Sequence, residues 1–77
     1  MKSLFDINGY LAVIPQIQNV YPPEIDNIGW KFGFKYISGV FEFFAYETQS
    51  EAKIVYDELA WAIEGYYKEK EVINNGN

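Results

Sequence analysis

The sequence predicts a single α+β domain, in which a small antiparallel sheet of three to four strands packs one face against a C-terminal amphipathic helix. Apolar residues alternate from residue 30 to residue 46, which is typical of strands. They recur every three to four residues from residue 52 to residue 67, which is typical of a helix. Between the two patterns lies Thr48-Gln49-Ser50-Glu51, a capping-box sequence. We therefore expect a β-hairpin that leads directly into the helix.

The N-terminal part is predicted to be mostly extended. Asn8-Gly9 is a turn dipeptide in which both residues tolerate positive φ, so it can close a hairpin between Leu4–Ile7 and Tyr10–Val13. Pro15 cannot donate to a central ladder, so it marks a bend, a bulge or an edge strand. We expect one bent strand or two short ones over residues 10–20, followed by a loop that begins at Pro22-Pro23 and covers residues 22–27.

Residues 30–47 form the clearest predicted hairpin. With Ser38-Gly39 as a two-residue turn, one face of the hairpin is aromatic. The facing pairs on it are Tyr36 with Phe41, Phe34 with Phe43, and Phe32 with Ala45. A three-residue loop would place charges opposite the aromatic face, and a slip by one residue would move the whole aromatic set to the other side. The pattern therefore favours the two-residue turn, or a four-residue loop that gives the same register.

The helix is predicted to begin at Gln49 or Ser50, with Thr48 as its N-cap. Its apolar positions form one buried stripe: Ala52, Val55, Tyr56, Leu59, Ala62, Ile63 and Tyr66. We expect this stripe to cover the face that carries Phe32, Phe34, Phe41 and Phe43. The domain is predicted to span residues 1–72, and residues 73–77 are predicted to be a disordered polar tail.

The composition argues against an enzyme. The chain has no cysteine and no histidine, which excludes thiol chemistry, histidine-based triads and ordinary transition-metal sites. It contains no P-loop and no dinucleotide-binding glycine motif. Its carboxylates show no sign of the desolvation that tunes an acid–base pair. We therefore expect a non-enzymatic protein with no cofactor and no metal.

The charge restricts the partners. The net charge is −5, and the six basic residues are spread over the chain. Nucleic-acid binders usually cluster such residues against phosphates, so we expect no binding to double-stranded DNA. Anionic membrane surfaces are disfavoured for the same reason, and no segment reaches the roughly 20 apolar residues that span a bilayer. Without a recognisable export signal, the expected location is cytoplasmic.

Two apolar residues lie on the polar side of the predicted helix. Ile54 and Trp61 are seven positions apart, so they share one side of the helix, about 180° from the buried stripe. Gly65 leaves a flat area one turn beyond Trp61, and Asp57 and Glu58 supply a charged rim. An apolar centre that holds a tryptophan and is surrounded by charge is typical of a binding hot spot. We therefore predict a protein-binding surface formed by these five residues.

The predicted function is that of a protein–protein interaction module, a small acidic regulator or inhibitor of bacterial or phage type. Its partner would be another protein or a second copy of the chain. The alternatives are a homo-oligomeric structural protein, an acidic nucleic-acid mimic that inhibits a nucleic-acid-binding enzyme, and a single-strand or nucleotide binder. The last would use an aromatic sheet face with Trp30, Phe32, Phe34 and Tyr36. Two further explanations of Trp61 remain open: an exposed aromatic without a role, and cover by the N-terminal segment.

Overall fold

The computed structural model describes residues 3–75 of the chain, with side chains as far as residue 69. The elements in this part are β1 (Leu4–Ile7), β2 (Tyr10–Val13), a 3₁₀ turn (Ile14–Gln16), β3 (Ile17–Ile25), β4 (Trp30–Tyr36), β5 (Phe41–Tyr46) and α1 (Gln49–Asn75). The first two strands form one antiparallel sheet, and the other three form a second in the order β3-β4-β5. Helix α1 packs against both sheets. The predicted α+β class is confirmed, although the strands divide into two small sheets.

The N-terminal hairpin has the predicted bounds. Asn8 and Gly9 both have positive φ, 52° and 93°, which a tight two-residue turn requires. The Gly9 amide also donates to the Asp6 carboxylate at 2.8 Å. Ile7 and Ala12 point inward and are fully buried in the core. The hairpin therefore covers part of the core shared with α1.

The prediction of a loop that begins at Pro22 is wrong. Strand β3 continues through Pro22 and Pro23, and its register against β4 shifts between Tyr21 and Glu24. Proline is tolerated there because β3 is an edge strand, where a missing amide donor breaks no ladder. The connection to β4 is the short turn after Ile25, in which the Asp26 carboxylate accepts hydrogen bonds from the two amides that follow Asn27.

The predicted register of the β4–β5 hairpin is also wrong by one residue. The loop has three residues, because the Gly39 amide donates to the Tyr36 carbonyl at 2.9 Å and the Tyr36 amide donates to the Val40 carbonyl at 2.8 Å. Gly39 has a φ of 97°, as expected for the glycine of a bulge that follows a type I turn. A two-residue type I′ turn would need positive φ at Ser38 as well, which serine disfavours.

The shifted register divides the aromatic residues of β5 between the two faces of the sheet. Phe44 lies opposite Phe32, and Glu42 lies opposite Phe34. Because Phe32 and Phe34 are buried against the helix, these partners also face inward. Phe43 lies opposite Gly33, on the other side of the sheet. A charge does therefore lie on the aromatic inner face, as expected for a three-residue loop.

Helix α1 begins and packs largely as predicted. Thr48 accepts a hydrogen bond from the Glu51 amide at 3.2 Å, and the Glu51 carboxylate accepts one from the Thr48 amide at 3.2 Å, so the capping box is present. Every residue of the predicted stripe is at least half-buried, and Ala52 and Leu59 are fully buried. The stripe covers Phe32 and Phe34. It does not cover Phe41 and Phe43, so that part of the prediction is wrong.

The predicted tail, residues 73–77, begins within the last residues of α1 and extends past the end of the described chain. Helix α1 continues to Asn75, while residues 76–77 lie outside the described residues. The disordered tail over residues 73–77 stays a prediction. Within the described residues, no helix is both long enough and apolar enough to cross a membrane.

Candidate functional site

The outer side of α1 carries the two apolar residues that the sequence singled out. Ile54 is 60% exposed and Trp61 is 68% exposed, whereas Leu59 on the opposite side of the helix is fully buried. Ile54 and Trp61 are seven positions apart, about 10 Å along the helix axis. The apolar stripe of the helix determines which side faces inward, because its residues Ala52 and Leu59 are fully buried in the core. The predicted centre of the binding surface is therefore open to solvent.

The predicted rim is present around this centre. The Asp57 carboxylate accepts a hydrogen bond from the Lys53 ammonium at 2.7 Å, which holds it along the helix. Glu58 is exposed. Gly65 is exposed too, and a methyl group built there would meet only open space. One side of Trp61 therefore borders a flat area that a partner side chain can reach.

The N-terminal segment does not cover Trp61. Strands β1 and β2 pack beside the buried side of the helix, where Ile7 and Ala12 join the cluster that includes Leu59. The exposure of the Trp61 ring confirms that nothing in the described chain lies over it. Intramolecular cover is thus excluded for residues 3–69.

A second exposed surface was not predicted. The outer sheet face, formed by Tyr21, Phe41, Phe43, Lys31 and Lys35, carries three nearly parallel aromatic rings. The Phe41 and Phe43 rings lie 6.1 Å apart at 6°, and the Tyr21 ring lies within 6.2 Å of each at 24°. Phe41 is 52% exposed and Phe43 is 50% exposed. Recognition of Gly39 as a bulge glycine is the one sequence signal that could have revealed this face.

Two lysines lie over the rings of the outer sheet face, and Glu24 lies opposite one of them, Lys31, on the neighbouring strand. The Lys35 ammonium lies 5.6 Å from the centre of the Phe41 ring, and the Lys31 ammonium lies 5.4 Å from that of Phe43. Lys31 also forms an ion pair with Asp26 at 2.9 Å. The hydrogen bond from the Lys31 ammonium, together with those from the loop amides, lowers the pKa of Asp26. A surface cavity of about 310 Å³ lies between these rings and β3.

A third feature is a pair of tyrosines at the end of the core. The Tyr10 and Tyr36 hydroxyls lie 2.9 Å apart, and the Val13 amide donates to the Tyr36 oxygen at 3.2 Å. Burial raises the pKa of Tyr10, and the hydrogen bond to Tyr36 and the negative charge of Glu42 raise it further. The Tyr10 hydroxyl is thus protonated at neutral pH, so this pair serves to satisfy polar groups beside the core.

The remaining chemistry is limited in the part of the chain that the structure describes. Among those residues, no three or more acidic side chains lie close enough together to hold a metal ion. No buried side-chain nitrogen or oxygen atom there lacks a hydrogen-bond partner. The buried polar side-chain atoms of the described residues are thus all paired.

Comparison with known proteins does not assign this chain to a family. No protein-family model, curated protein or solved structure matches this chain.

Proposed function

We infer that this chain is a non-enzymatic protein-interaction module that binds a protein partner through the outer side of α1. The observation that carries the proposal is the exposure of Trp61 and Ile54 on a helix whose opposite side packs against the sheets. The contact centre is Trp61 with Ile54, and the rim is Asp57, Glu58 and the flat area at Gly65. As part of the same proposal, the chain acts in the cytoplasm as a small acidic regulator or inhibitor.

The energetics support a contact at this position. A tryptophan buried at the centre of an interface commonly supplies about 2 kcal/mol or more of binding free energy. The fold does not use this ring, since the core of α1 is formed by residues such as Ala52 and Leu59. Charged groups around the ring can exclude water and select a partner once the centre is covered.

The test compares two isoleucines. Ile54 and Ile25 are similarly exposed, at 60% and 67%, but Ile25 lies at the end of β3 and away from the helix surface. Immobilised wild type and the variants Trp61→Ala, Ile54→Ala and Ile25→Ala are used to capture proteins from the native host, and retained proteins are then titrated in purified form. We expect Trp61→Ala and Ile54→Ala to lose the partner and Ile25→Ala to keep it.

Two outcomes would contradict the proposal. Unfolding of Trp61→Ala, measured by circular dichroism, would show that the ring is part of the fold. Partner binding that survives Trp61→Ala but weakens steeply with salt would instead favour the acidic mimic, whose contacts are mainly electrostatic.

The outer sheet face supports a second candidate function, binding of single-stranded nucleic acid or nucleotides. Phe32 and Phe34, on the face first considered, are buried and cannot stack on bases. The parallel rings of Phe41 and Phe43, with lysine ammonium groups over them, are the arrangement that supports base stacking. Titration of a labelled oligonucleotide against wild type and Phe41→Ala tests it. Binding that is lost in the variant and falls with salt would support this function, and no binding at low salt would reject it.

A further inference from the structure

Strand β5 is an uncovered edge. It is the last strand of the sheet, paired with β4 alone. Its sequence, Phe-Glu-Phe-Phe-Ala-Tyr, contains no proline or lysine, and the only charged residue is Glu42. A regular, mostly apolar edge strand of this composition presents unpaired backbone groups that readily pair with another strand.

The opposite edge of the same sheet is protected. Strand β3 contains Pro22 and Pro23 and two register shifts against β4. Prolines and bulges are the usual devices that prevent an edge from pairing. Only one edge of this sheet therefore offers a regular ladder to a partner.

The alternation of hydrogen bonds shows which residues of β5 face outward. The bond from the Tyr36 amide to the Val40 carbonyl makes these two residues a hydrogen-bonded pair. Hydrogen-bonded pairs alternate along an antiparallel ladder, so Glu42, Phe44 and Tyr46 also bond to β4. The backbone groups that point away from the sheet are those of Phe41, Phe43 and Ala45, and none of them has a hydrogen-bond partner within the described residues.

We propose that this edge pairs with the β5 edge of a second copy of the chain, antiparallel and centred on Phe43. In this arrangement Phe43 lies opposite Phe43 of the second copy, and Phe41 lies opposite Ala45 of the second copy. All three outward residues then exchange backbone hydrogen bonds within the strand, two per pair. A pairing shifted by two residues in either direction leaves at least one of the three outside the strand ladder.

The side chains favour the same register. A pairing centred on Glu42 would bring two carboxylates directly opposite each other, which is destabilising. Centred on Phe43, the pairing places Glu42 opposite Phe44 of the second copy. It also covers the exposed rings of Phe43 and Phe41, which lie half in solvent in the single chain, and joins the two outer sheet faces into one surface.

The first test uses the unsubstituted chain. Sedimentation over a wide concentration range is expected to show a mass that doubles. Amide hydrogen exchange, measured by NMR over the same range, is expected to slow at Phe41, Phe43 and Ala45 as the dimer forms. The amides of Glu42 and Phe44 serve as internal controls, because β4 protects them at every concentration. A monomer at all concentrations would overturn the proposal.

The second test determines the register by crosslinking. The chain contains no cysteine, so an introduced thiol can react only with its copy. Phe43→Cys places two Cα atoms about 5.5 Å apart across the dimer axis, within reach of a disulfide. Phe41→Cys places its two copies about 14 Å apart, beyond that reach. We expect oxidation to crosslink the first variant and leave the second monomeric.

Because Phe43→Cys removes the Phe43 ring, a mixture of two other variants tests the same register with that ring in place. Phe41→Cys mixed with Ala45→Cys is expected to give a covalent heterodimer, since these positions face each other. Equal crosslinking of every variant alone would indicate random collision and would overturn the register. The Trp61→Ala variant is expected to dimerise normally, because Trp61 lies on the far side of α1. A failure of the helix surface to bind a partner therefore leaves this result unaffected.

Discussion

At the scale of single residues, Gly33 allows the outer sheet face to form. A Cβ atom built at this position would overlap the Phe43 ring and the Glu42 carbonyl oxygen. The Phe43 ring therefore lies directly over bare backbone, and it can do so only because residue 33 has no side chain. The Glu42 carbonyl oxygen belongs to the β5 backbone and cannot move away without disturbing the β4–β5 ladder.

We expect Gly33→Ala to lower the free energy of unfolding by about 1–3 kcal/mol, the usual cost of forcing extra atoms into a packed site. Gly65→Ala is the matched control. A methyl group there meets open space in a helix, so it should raise stability by roughly 1 kcal/mol. Urea denaturation of both variants checks the pair. Equal effects of the two substitutions would show that Phe43 does not pack on Gly33.

Asp26 gives a second prediction at this scale, through pH. The hydrogen bond from Lys31 lowers its pKa in the folded chain, so its charge stabilises the fold above the ordinary aspartate pKa of about 3.9. That contribution is lost as the pH falls through the lowered folded value. Asp26→Asn keeps an oxygen acceptor for the loop amides and removes the charge.

Asp26→Asn should therefore be less stable than wild type near pH 7, and the difference should shrink at about pH 3. Urea denaturation at both pH values measures it. A difference that is the same at both would assign the effect to the loop hydrogen bonds and not to the charge.

At the scale of the elements, the capping box determines where α1 begins. Thr48 and Glu51 exchange hydrogen bonds at the first turn, which satisfies amides that the helix itself leaves without partners. From this start, the apolar periodicity of the helix places Ala52 and Leu59 toward the sheets, and Ile54 and Trp61 toward solvent.

Thr48→Ala should lower the free energy of unfolding by about 1 kcal/mol, because the side-chain acceptor is lost. Thr48→Ser keeps that acceptor and should cost much less. Thermal unfolding followed by helix circular dichroism compares the two. Similar losses in both variants would mean that the threonine methyl group, and not the cap, contributes the stability.

At the scale of the whole molecule, apolar groups are exposed on opposite sides. Trp61 and Ile54 lie outside the helix layer, and Phe41 and Phe43 lie outside the sheet layer. The chain also has a net charge of −5, which repels other copies and opposes compaction. Salt should therefore act on stability and on association in the same direction.

We expect the melting temperature to rise between about 0.01 M and about 1 M NaCl, since screening removes the self-repulsion. Self-association through β5 should strengthen over the same range, because backbone bonds and aromatic contacts depend little on charge attraction. Calorimetry and sedimentation in the two buffers measure these effects. Dissociation of the dimer by salt would show that ion pairs dominate the contact.

The sequence by itself determined the features that depend on neighbouring residues. The Asn8-Gly9 turn, the start of α1 and its buried stripe were all predicted correctly, because positive φ, capping and helical periodicity are local properties. The exposed positions of Ile54 and Trp61 followed from the same periodicity.

Only the tertiary structure decided the register of β5 and the surfaces that depend on it. Phe41 and Phe43 lie on one face of β5, and Phe44 and Tyr46 lie on the other. Both faces of the strand are therefore aromatic, so the hydrophobic pattern fits either register. The three-residue turn at Gly39 settled it. The continuation of β3 through its prolines was likewise decided by its edge position, which is a property of the assembled sheet.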